Sequence, residues 1–121
     1  MLHRLGPRTV EGLPGWQVEE HFPHYLEYRE GGRTLRYSAE MATGPGVSIL
    51  LFDEPRATFW QPPHRDQPLT AAEQHPILVR VTAAVMLLGI RLYWQTIPPD
   101  DERADWPVIL AEVQALLRRA E

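Results

Sequence analysis

The segment Trp60-Gln61-Pro62-Pro63-His64-Arg65-Asp66-Gln67-Pro68-Leu69-Thr70 constrains the fold more than any other part of the chain. Each of its prolines fixes its own φ at about −65° and pushes the preceding residue toward extended geometry. Thr70-Ala71-Ala72-Glu73 then reads as a capping box. The threonine hydroxyl can accept from the Glu73 N–H, and the Glu73 carboxylate can reach back to the Thr70 N–H. The pattern predicts a stiff connector from the end of an apolar strand to the start of a helix. A connector this rigid makes a poor catalytic lid. It suits a fixed surface, or a brace that positions a helix on a sheet.

The flanking sequence supplies the sheet and the helices. Trp16 to Glu20 suits a short strand. Tyr25 to Glu30, Gly31-Gly32 and Arg33 to Met41 form the clearest hairpin, because two glycines allow the positive φ of a tight turn. In its second arm Leu35, Tyr37, Ala39 and Met41 fall on one face, and Arg36, Ser38 and Glu40 on a wet one. After the turn Thr43-Gly44-Pro45-Gly46, Val47 to Phe52 is an apolar run fit for a central strand. Asp53-Glu54-Pro55 turns the chain, and Ala57 to Gln61 is expected as a further strand carrying Phe59 and Trp60. A long helix follows from Thr70 to Gly89, with Pro76 expected to kink or restart it. Ile77, Leu78, Val81, Val85 and Leu88 make its core stripe. Ala83, Met86 and Leu87 lie off that stripe, so a second apolar neighbour is expected.

Ile90 to Gln95 returns as a strand with Ile90, Leu92 and Trp94 on one face. Thr96 to Arg103 is a polar loop. Asp105 and Pro107 open a last helix to Ala120, whose stripe is Trp106, Ile109, Leu110, Val113, Leu116 and Leu117. The expected fold class is α+β: an antiparallel sheet of about four to five strands with the long helix and the C-terminal helix packed on it. Residues 1–15, broken at Gly6-Pro7 and Pro14-Gly15, read as a flexible lead-in to a single domain spanning 16–121.

Composition narrows the chemistry. A chain of 121 residues that is 44% apolar suits one globular domain. Its net charge of −4 argues against nucleic acid as a direct ligand, since phosphate contacts need clustered positive charge. There is no cysteine, hence no disulfide framework and no thiolate metal site. Lysine is absent against twelve arginines, which excludes a phosphate-loop or Schiff-base lysine. Both serines, Ser38 and Ser48, fall in expected strands. The apolar region Val79 to Ile90 is too short to span a bilayer, and Met1 to Val10 has no signal-peptide core. A soluble cytoplasmic protein with no catalytic residue, no cofactor and no metal is the expectation.

Several residues nonetheless merit weighing. His21 and His24, beside Glu19 and Glu20, could share a metal ion, but Pro23 removes the helical spacing that would align them. A solvated bend is the plainer reading. His64 and Asp66 could form an acid–base pair, yet a histidine in a proline-rich turn more often braces local backbone. Of Trp60, Trp94 and Trp106, Trp60 is expected to face outward because it precedes an exposed connector. Asp100, Asp101 and Glu102 form an acidic loop that could meet a basic cleft on a partner.

The motif Trp-x-Pro-Pro-His, carried by Trp60, Pro62, Pro63 and His64 and followed by Pro68-Leu69-Thr70, resembles that of small bacterial immunity proteins of the immunity protein 74 type. The likeness runs from about Leu35 to Trp94. It departs at Arg65, which stands between the histidine and Asp66, and at Pro76. The resemblance implies a protein that neutralises a cognate toxin by tight binding. Trp60, His64, Asp66, Arg36, Glu40, Asp100, Asp101 and Glu102 are then the expected contact residues. The rival readings are a small enzyme or metal-binding protein using His21, His24 or His64, and a homo-oligomeric scaffold or homodimer built through the apolar long helix.

Overall fold

The computed structural model describes residues 2–12, 15–42, 46–55, 59–65, 67 and 69–120. Strands β1 (Leu2–Arg4), β2 (Thr9–Gly12), β3 (Trp16–His21), β4 (Tyr25–Glu30), β5 (Arg33–Met41) and β6 (Ser48–Asp53) precede helix α1 (Ala71–Leu87). Strand β7 (Arg91–Thr96), a 3-10 turn (Pro99–Asp101) and helix α2 (Trp106–Arg119) complete the order. The strands lie side by side in chain order in one seven-stranded sheet. Each of the first five is antiparallel to the next, because short turns reverse the chain. β7 is parallel to β6, because α1 carries the chain back across the sheet before it re-enters.

The class is α+β as expected, but the sheet is larger and mixed. Two of the additional strands come from the segment expected as a lead-in. β1 and β2 have only three and four residues, too few for alternation to stand out in sequence. They form because Leu2 and Val10 reach the core and because β2 pairs along β3 from Thr9↔Glu19 to Gly12↔Trp16. Gly12 permits this packing: a Cβ there would lie 2.2 Å from the Trp16 ring. The strand expected at 57–61 is not found over Phe59 to Gln61, and residues 57 and 58 lie outside the described residues. Residues 43–45 of the expected turn lie outside them too.

β5 bends the sheet. Its first part, to Ser38, pairs with β4, whereas Ala39 to Met41 pair with β6. The sheet thus curls around α1, which packs against β2, β3 and β7. Val10, Val18, Leu26, Leu35 and Tyr37 face inward against Ile77, Leu78, Val81 and Val85. Met41, expected on this buried face, is exposed at the last position of β5. α2 packs on α1 and touches β1, and so is the second neighbour that the breadth of the apolar surface on α1 required. Val79, Ala83 and Ala84 are buried as well. Most of the apolar surface of α1 is therefore covered within the chain, and Met86 near its end stays exposed.

Local signals behave as read. Gly31 and Gly32, at φ 58° and 77°, make the two-residue hairpin turn. Thr70 Oγ1 accepts from the Glu73 N–H at 3.1 Å, and Glu73 accepts from the Thr70 N–H at 3.3 Å, which completes the capping box. α1, by contrast, runs through Pro76 as one helix, without the restart expected there. Asp105 caps α2 by accepting from the Val108 N–H, with Pro107 in the first turn.

Candidate functional site

The connector is a brace. Trp60, expected to face outward, is only 1% exposed. The Arg33 guanidinium lies 4.0 Å above its ring and covers it. Arg33 also donates to Gln67 at 3.1 Å and to Glu73 at 3.3 Å, which ties the β4–β5 hairpin to the connector and the helix cap. The Gln61 N–H donates to the Thr34 carbonyl at 2.7 Å. The His64 N–H donates to the Gln61 carbonyl, and the His64 carbonyl accepts from the Gln67 N–H. Backbone bonds of this kind fix a turn. Asp66 lies outside the described residues, as does Pro68.

The wet face of the sheet carries a lattice of ion pairs. Register places Thr9, Glu19, Glu27 and Arg36 in one row across four strands. Glu19 and Glu27 are direct neighbours of like charge, an arrangement that needs cations beside it. Arg29 supplies one, at 2.9 Å from Glu27 and 3.6 Å from Glu19. Arg36 supplies another at 3.1 Å from Glu27, with its guanidinium above the Tyr25 ring. His21 stacks on Tyr25 and sets Nε2 2.7 Å from Glu19. That contact has the distance of an ion pair without the alignment of a hydrogen bond.

Glu19, His21 and Glu27 bring donor atoms within 4.8 Å of one another, close enough to hold a metal ion. Two guanidiniums already neutralise those carboxylates, so the lattice is electrostatically satisfied by protein groups alone. The trio includes neither His24 nor His64. Arg36, Ser38 and Glu40 are exposed on this face, as expected.

The acidic loop divides. Asp100 and Glu102 are exposed, whereas Asp101 turns inward and pairs with Arg103 at 3.3 Å. The 3-10 turn rotates successive side chains apart, so three consecutive acids cannot share one surface. Beneath it Asp53 is buried, with both carboxylate oxygens accepting from Gln74 Nε2 at 3.1 and 2.9 Å. Burial raises the Asp53 pKa. The Gln74 amide opposes that shift and the nearby Asp101 adds to it.

A wide concavity lies elsewhere. A cleft of about 720 Å³ opens between β7, the end of α1 and the start of α2. Trp94 and Trp106 form its floor, with ring centroids 6.0 Å apart. Tyr37 packs edge-on behind Trp94 at 5.4 Å. Trp94 Nε1 donates to Thr82 Oγ1 at 3.0 Å, and Thr82 donates onward to the Leu78 carbonyl. The polar atom of the indole is thus satisfied inside, and its apolar surface is left to the cleft. Met86, Tyr93 and Leu110 stand exposed around it at 39%, 47% and 50%. Glu102 sits on the rim.

Among the described residues, guanidiniums lie over Trp16, Tyr25 and Trp60, and none lies over Trp94 or Trp106. Sequence reasoning placed both of these tryptophans in the core. The available signal was the exposed apolar surplus nearby, Met86 in the helix and Tyr93 in the strand. No family model, curated protein or solved structure matches this chain. Among the described residues no helix is long and apolar enough to cross a membrane.

Proposed function

We propose that this protein is a toxin-neutralising immunity protein of the cytoplasm. It holds a cognate toxin domain by stoichiometric protein–protein contact, with no catalytic turnover and no cofactor. The observation that carries the reading is the Trp94–Trp106 cleft with Met86, Tyr93 and Leu110 exposed at its edge. Aromatic residues in a pocket that a partner can desolvate are the usual energetic centres of protein interfaces. Contiguous exposed apolar surface on a small domain marks an interaction site. Glu102 on the cleft rim, the exposed Asp100 two residues before it and the net charge of −4 favour a basic partner surface and speed its encounter. The immunity-type motif at Trp60 to Thr70 supplies the class of partner. Arg36 and Glu40 on the wet sheet face, and His64 and Asp66 in the connector, remain candidate outer contacts.

Co-expression with the toxin domain encoded beside this gene, followed by co-purification, tests the reading. The expected result is an equimolar complex that protects the host cell. A toxin that stays active and elutes separately would overturn it.

A further inference from the structure

The two edges of the sheet are not alike. β1 is three residues long and lies against α2, so this edge offers little to an incoming strand. β7 has six residues and, among the described residues, pairs only with β6. The Arg91 N–H donates to the Val47 carbonyl and the Ile97 N–H to the Asp53 carbonyl. Main-chain groups alternate sides along a strand, so those of Leu92 and Trp94 point away from β6. The cleft lies along this edge, for every residue from Gly89 to Trp94 lines it. Its opposite wall is Trp106, Leu110 and Glu102.

We infer that the cleft receives an extended segment of the toxin as a strand added to β7. This rests on the binding reading above and specifies its geometry. The N–H and C=O groups of Leu92 and Trp94 pair with the incoming main chain, as in other cases of strand addition to an open edge. An apolar side chain of the segment lies on Trp94 and Trp106. A basic side chain at the end nearest the 3-10 turn meets Glu102 and Asp100, the exposed acids there. The occupant is a partner strand and not a second copy of β7. A second copy would bring its own α2 wall along the same edge, and the two walls would compete for one cleft.

Amide hydrogen exchange, read residue by residue on the free protein and on its complex with the toxin domain, tests the inference. Exchange at Leu92 and Trp94 should slow by at least about tenfold on binding. Glu102→Arg should weaken the complex without changing the melt of the free protein. A complex that forms while Leu92 and Trp94 exchange at their free rates overturns the added strand and leaves the binding reading standing. Failure of any complex to form overturns both. Protection of Leu92 and Trp94 that rises with concentration in the free protein, together with a dimer's mass, would assign the edge to a second copy and also overturn the inference.

Discussion

Trp60 and the Trp94–Trp106 pair are the same residue type at two places on one small domain, and their surroundings assign them opposite duties. Trp60 is closed over by Arg33, and Arg33 is itself held by Gln67 and Glu73. Trp94 is anchored from behind by Thr82 and Tyr37, and its front opens into the cleft. A cation over an indole, tethered by its own partners, converts an aromatic surface into structure. An indole whose polar atom is satisfied inside and whose face is left open is suited to a partner. The difference lies in what stands next to each ring in space.

The contrast predicts a graded set of responses. The largest is at the closed site. Trp60→Ala should cost about 3–5 kcal/mol of stability, the range for removing a large buried aromatic, as read by denaturant melts. A melt unchanged by this substitution would return Trp60 to the surface and erase the contrast. Arg33→Ala should follow at about 1–2 kcal/mol, since it removes the cation over the ring. If Arg33→Lys restored that loss, charge alone would explain the lid and the planar stacking would be irrelevant. Thr70→Ala should cost about 1 kcal/mol through the lost cap, and toxin binding at low temperature should persist.

Much of the fold was legible because its signals are local. The Gly31-Gly32 turn, the Thr70–Glu73 box and the Asp105-x-Pro107 helix start each involve residues within one turn of chain. The long helix declared a second neighbour through its off-stripe alanine. What escaped notice depends on distant residues. Arg33 meets Glu73 across forty positions of sequence, so no pattern near Trp60 could foretell its lid. The direction of β7 follows from how α1 crosses the sheet and not from the composition of the strand. β1 and β2 are too short to show a period, and they exist because β3 offers an edge to them. The cleft is a gap bounded by three elements, and Trp94 and Trp106 read as core because a stripe does not reveal where its cover ends. Asp101 was grouped with its acidic neighbours until the 3-10 turn sent it inward.

A smaller effect sharpens the comparison from beneath the acidic loop. Burial holds the Asp53 carboxyl above its usual range, and the Gln74 amide only partly offsets this. The native state therefore binds that proton more tightly than the unfolded chain does. Its contribution to stability is complete below the unfolded value of about 3.9 and is lost as pH rises through the higher folded value. Asp53→Asn cannot ionise, so it should flatten the stability profile across that interval. Melts of both proteins between mildly acidic and neutral pH would show it. Parallel profiles would mean that Asp53 titrates alike in both states.

The most direct test of the open cleft is a calorimetric titration of the toxin domain with Tyr93→Ala and Leu110→Asp, two exposed positions on opposite walls. Their melts should stay within about 0.5 kcal/mol of the parent, as for ordinary surface substitutions. Their affinity for the toxin should fall by about 2 kcal/mol or more each, roughly thirtyfold. Unaltered affinity in both variants, with folding intact, would contradict the claim that this protein meets its partner through the cleft beside β7.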